Sequence, residues 1–73
     1  MEARVVFQVE WSNDIDGVVH MKECKNLDDM FNVYCMCKNS IKHGYCKVAM
    51  YEVDCLNSYT LIDREVISFD KTL

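Results

Sequence analysis

A chain of 73 residues has room for one domain, spanning 1–73, and at this size folding buries only about 60 % of the surface the unfolded chain exposes. The core is therefore thin, which argues against a large ligand-enclosing cleft. Twelve acids against eight bases give a net charge of −4. The bases (Arg4, Lys22, Lys25, Lys38, Lys42, Lys47, Arg64, Lys71) form no run, which argues against direct binding of DNA or RNA.

The chain is 51 % hydrophobic, with two Gly and no Pro, a balance that folds rather than stays disordered. No apolar stretch approaches the roughly 20 residues a membrane span needs. Polar residues interrupt Val5–Trp11 too early for a signal peptide, so a cytoplasmic location with no membrane partner is expected. Five cysteines (Cys24, Cys35, Cys37, Cys46, Cys55) are an odd number sitting at apolar positions of regular patterns. That is how free buried thiols behave, and it points to a reducing compartment without structural disulfides. Met1 and the absence of a tag point to a complete small reading frame, and acidic domains of this size are common among accessory proteins of phages and mobile elements.

In chain order, Val5, Phe7, Val9 and Trp11 alternate with Val6, Gln8 and Glu10, the period of a half-buried strand. Ser12 to Gly17 is dense in turn formers. A second strand from Val18 to about Glu23 pairs back as a hairpin, with Val19 and Met21 inward and His20 and Lys22 outward. Leu27, Met30, Phe31, Tyr34, Cys35 and Ile41 recur at helical spacing, predicting a helix from about 27 to 42. Asn26 suits its N-cap, Asp28 and Asp29 its first turn, Lys38, Lys42 and His43 its other end, and Gly44 its C′ position. Tyr45–Val53 is a strand with Cys46, Val48 and Met50 on one face and Tyr45, Ala49, Tyr51 and Val53 on the other. Asp54–Asn57 turns into a strand over Tyr59–Ile62. Asp63-Arg64-Glu65 breaks its pattern, and Val66–Phe69 is either a final short strand or the continuation of a bent one.

These elements predict an α+β fold: a small two-layer domain in ββαββ order, with one helix packed on one face of an antiparallel sheet of about four strands. One helix covers one sheet face only. The second face, carrying some of Val6, Tyr45, Tyr51 and Tyr59, must then be polar or paired with another copy or a partner.

Two patterns resemble metal sites. Ser12-x-Asp14-x-Asp16-Gly17-x5-Glu23 follows the EF-hand loop, except that Ser12 replaces the first Asp and strands flank it instead of helices. Cys35, Cys37, His43 and Cys46 place four candidate zinc ligands within twelve residues. Residues two apart on a helix point about 200° apart, so Cys35 and Cys37 share a metal only if the helix ends before them. The plainer reading puts Cys35 in the core, Cys37 on a flank and Cys46 on an inward strand position, with no metal and no cofactor. His20 and Cys24 sit too far apart on a strand for a nucleophile and base, and no Gly-rich phosphate loop exists, so no catalytic residue is assigned and no enzyme is expected.

What remains is surface chemistry. Trp11, Tyr45, Tyr51 and Tyr59 are numerous for a thin core, and Trp and Tyr are enriched at binding hot spots. Asp14, Asp16, Asp28 and Asp29 form a second candidate group. The expectation is a non-enzymatic interaction protein, a homodimer or stoichiometric binder of a protein partner. One version is an acidic inhibitor that blocks the nucleic-acid groove of a defence or nucleic-acid enzyme. Another is a small zinc-stabilised module.

Overall fold

The computed structural model describes residues 3–13 and 17–70. Four strands and one helix follow in the order β1 (Arg4–Asn13), β2 (Val18–Cys24), α1 (Leu27–Ser40), β3 (His43–Val53) and β4 (Tyr59–Asp70). The strands form one antiparallel sheet in the order β2-β1-β3-β4, with α1 packed against β1 and β2. This is the expected ββαββ two-layer α+β domain.

The helix starts where the side chain of Asn26 accepts the Asp29 backbone N–H at 2.8 Å, and Asp28 and Asp29 supply the acidic first turn. It ends earlier than its apolar spacing predicts. Ser40 is its last residue, Ile41 caps it by donating its N–H to the Cys37 carbonyl, and Ile41 is already extended and buried. Gly44 is accordingly a strand residue and not the C′ glycine. It lies opposite Asn13 with φ +148, and a Cβ there would meet the Ser12 carbonyl oxygen at 2.0 Å. Only glycine lets β3 enter the sheet this closely.

Register assigns each face. Phe7, Val9 and Trp11 of β1 stand beside Met50, Val48 and Cys46 of β3 on the helix side. Val33 and Cys37 of α1 and Ile41 just beyond it close onto them, with Cys24 at the end of β2, to form the core. Two expectations are corrected here. Cys37 is buried and Cys35 only half-buried, the reverse of the predicted placement. The buried helix stripe runs through Val33 and Cys37 and on to Ile41 past the helix end, not through Leu27 and Phe31, which are 62 % and 56 % exposed. β2 is also turned over. His20 stacks on Trp11 on the helix side, at 5.4 Å between ring centroids, and Val19 and Met21 are exposed on the opposite face.

β4 is one continuous strand. The Asp63-Arg64-Glu65 interruption is absorbed by a bulge, because Met50 pairs with Asp63 while its neighbour Tyr51 pairs with Leu61. Ile62 is the extra residue, and it resets the alternation so that Asp63, Glu65 and Ile67 share the helix side. The hairpin before it is built by Asp54, whose side chain accepts the N–H groups of Leu56 and Ser58, with Asn57 at φ +60.

Candidate interaction surface

The aromatic residues singled out from the sequence divide between the two faces. Trp11 is half-buried against the core and stacked on His20. Tyr45, Tyr51 and Tyr59 lie with Val6 on the face away from the helix, as their strand alternation predicts. That face is partly closed by its own side chains. The Tyr45 hydroxyl donates to Glu10 at 2.9 Å, and Lys47 approaches the same carboxylate at 3.7 Å. Tyr51 and Tyr59 make an edge-on pair at 5.8 Å beside Val6 and Val53, both buried.

The Tyr59 hydroxyl also donates to Glu23 at 3.0 Å, joining the two edge strands β4 and β2. Three strand spacings, about 14 Å of sheet, separate those strands, so the sheet bows until its edges approach. This explains how Val6, Ala49 and Val53 are buried with no helix above them. In each tyrosine the donated hydrogen bond raises the phenol pKa, since ionisation would place two negative charges together. The apolar side chains left exposed here, Val19 and Met21 on β2 and Leu61 and Val66 on β4, are separated by Gln8, Glu10, Lys47 and Arg64.

The helix side is arranged differently. Because α1 sits over β1 and β2, the strip of sheet formed by β3 and β4 beside it is open. A groove of ≈ 330 Å3 runs there between Met30, Phe31 and Tyr34 on the helix and Glu65 and Ile67 on β4, with Val48 as its floor. It continues past Met50 and Phe7 to Asp63. By the 3.6-residue repeat, Leu27, Phe31 and Lys38 share one side of the helix roughly 100° from the centre of the buried stripe, and of these Phe31 lines the groove. The floor is apolar, and the β4 wall carries Asp63, Arg64 and Glu65.

None of the groove residues belonged to the expected binding set. The signal was present in the helix, where six apolar positions plus Val33 and Cys37 are more than one buried face accommodates. Of the expected acidic set, Asp28 and Asp29 occupy the exposed first turn of α1, while Asp14 and Asp16 lie outside the described residues; of the pattern that resembles an EF-hand loop, Ser12 stands in β1 and Glu23 in β2.

The candidate zinc ligands separate. The Cys37 and Cys46 thiols are hydrogen-bonded to each other in the core, where burial raises both pKa values, that of Cys46 to about 12. His43 pairs instead with Asp70 at 3.2 Å. Among the described residues no group of three His, Cys, Asp or Glu side chains is placed to hold a metal ion. No disulfide joins the five cysteines, and Cys55 is exposed in the hairpin turn. Among the described residues no helix is long and apolar enough to cross a membrane. The fold and surface thus define a class: a bowed four-stranded antiparallel sheet under a single off-centre helix that leaves an apolar groove open. No protein-family model, curated protein or solved structure matches this chain.

Proposed function

We propose that this protein acts by stoichiometric binding to a protein partner and not by catalysis, and that the partner seats on the helix side of the sheet. The observation that carries this reading is the off-centre helix. It leaves Phe31 more than half exposed beside the half-buried Val48 and Ile67, so apolar side chains from three elements share one open surface. Patches of this kind, rimmed by charge, mark sites of protein association. The tyrosines of the other face engage intrachain partners, and its exposed apolar residues are split by a polar row, which makes it the weaker surface.

Capture from lysate of the source cells by tagged wild-type protein, Phe31→Ser and Met21→Ser tests this. Phe31 and Met21 are both exposed but lie on opposite faces, so neither change removes core packing. One protein retained near 1:1 by wild type and by Met21→Ser, and reduced at least five-fold with Phe31→Ser, is expected. Retention of nothing beyond a tag-only control would overturn the binding role.

A further inference from the structure

We propose that Cys37 and Cys46 form a redox-sensitive lock: oxidation joins them in a disulfide that pins the end of α1 to β3. The two side chains come from different elements and meet in the core, where Cys37 is 1 % and Cys46 0 % exposed. Their thiols are hydrogen-bonded to each other, so bond formation requires only that sulfurs already in contact close to about 2.05 Å.

The fold selects this pair from five cysteines. Cys24 is opposite Phe7 and Cys46 opposite Trp11, four residues further along β1, or about 13 Å of strand. A disulfide spans at most about 7 Å between Cα atoms, which keeps Cys24 from Cys46. Cys35 precedes Cys37 by two residues and points about 200° around the helix from it, half-buried and away from β3. Cys55 lies in the hairpin turn past the far end of β3. The segment joining Cys37 to Cys46 is also held in place. Ile41 is buried and donates its N–H to the Cys37 carbonyl, and Gly44 is pressed against the Ser12 backbone.

The same surroundings favour a disulfide over a bound metal ion. No third ligand is placed among the described residues, and two thiolates would bring negative charge into an apolar core. A disulfide is neutral there. The oxidant is a small-molecule disulfide such as oxidised glutathione. One cysteine, as thiolate, attacks a glutathione sulfur and expels the other half as glutathione thiolate. The second cysteine then attacks the protein sulfur of that mixed disulfide and expels the remaining glutathione. Two electrons and two protons pass from the pair, and one oxidised glutathione becomes two reduced ones. The reagent reaches the thiols only while the chain transiently opens, so exchange is slow, and the native core closes over the product.

This lock does not depend on the binding role, and its test uses no partner. Wild type, Cys35→Ser/Cys55→Ser, and that double variant with Cys46→Ala are incubated overnight in glutathione redox buffer, acid-quenched, alkylated and digested with trypsin without reductant. Cleavage after Lys25, Lys38, Lys42 and Lys47 puts Cys37 in peptide 26–38 and Cys46 in peptide 43–47, apart from Cys24 and Cys55. In the double variant these two peptides are expected to be joined, with the intact protein lighter by two hydrogens and its native amide spectrum kept. In wild type, fragmentation should place the link on Cys37 and not Cys35. Tm should rise by about 5 °C or more through closure of the loop, and dithiothreitol should reverse the rise. The Cys46→Ala protein should show neither link nor shift. A link through Cys24 or Cys35, lasting glutathione adducts on Cys37 or Cys46, both thiols still free, or a link formed with a lowered Tm would each overturn the lock.

Discussion

Gly44→Ala isolates the tightest backbone approach in the fold. At φ +148 an L side chain is strained, and residues held in such regions cost about 1–3 kcal/mol. The new Cβ would also stand 2.0 Å from the Ser12 carbonyl oxygen and 3.2 Å from the Asn13 Cα, both backbone atoms that no rotamer change can move. Relief requires β3 to separate from β1 by about 1 Å where Asn13 faces Gly44, which weakens one or two ladder hydrogen bonds of about 1 kcal/mol each. Together these give a loss of about 3 kcal/mol. A domain of this size holds roughly 4–11 kcal/mol in total, so Tm should fall by about 12 °C or more. The control is Gly17→Ala, where φ is +67 but nothing lies within 4 Å, so only the conformational cost of about 1 kcal/mol applies. Urea and thermal unfolding followed by far-UV circular dichroism measures both variants. Equal destabilisation of the two would refute the close-approach argument and leave only backbone preference.

Asn26→Ala removes the acceptor for the Asp29 N–H and should lower stability by about 1 kcal/mol in urea unfolding, with Asn26→Asp close to wild type. Thiol labelling with Ellman's reagent on native protein should modify the exposed Cys55 first and the half-buried Cys35 next, leaving Cys24, Cys37 and Cys46 until the chain unfolds. Modification of Cys46 at the rate of Cys55 would contradict the core placement.

The Cys46 thiol ionises at about 12 when folded against about 8.5 when unfolded. Its contribution to stability is therefore complete below pH 8.5 and lost as pH rises towards 12, on the order of 2 kcal/mol by pH 10. Cys46→Ala should start less stable yet lose less between pH 8 and pH 10. Tyr59→Phe deletes the bridge to Glu23, and because that phenol is also raised, its stabilising effect holds below about pH 10 and fades above it. The variant should show a shallower alkaline decline in its urea midpoint, and an unchanged decline would separate the bridge from stability.

Much of the architecture was legible because it rests on local pattern. Period-two alternation in Val5–Trp11 and Tyr45–Val53 named two strands and the faces of each. Asn26 with Asp28 and Asp29 marked the helix start through backbone capping, which needs no tertiary partner. The faces of β2 were not legible. Val18-Val19-His20-Met21 offers apolar residues at both parities, and only the pairing of Trp11 with His20 and of Phe7 with Cys24 decides which side turns inward. The helix end was equally ambiguous, because Ile41 satisfies the helical repeat but is pulled into the core as the chain turns towards β3.

What the sequence by itself determined, then, is the order of elements, the caps and turns and the acidic balance, all properties of neighbours along the chain. The tertiary structure alone decided that α1 sits off-centre over β1 and β2, that a bulge at Ile62 turns Asp63 and Glu65 towards the helix side, and that Tyr59 reaches Glu23 across the bowed sheet. These depend on register, on sheet curvature and on which of two apolar helix stripes finds a surface to bury against. Residues far apart in the chain settle such questions together.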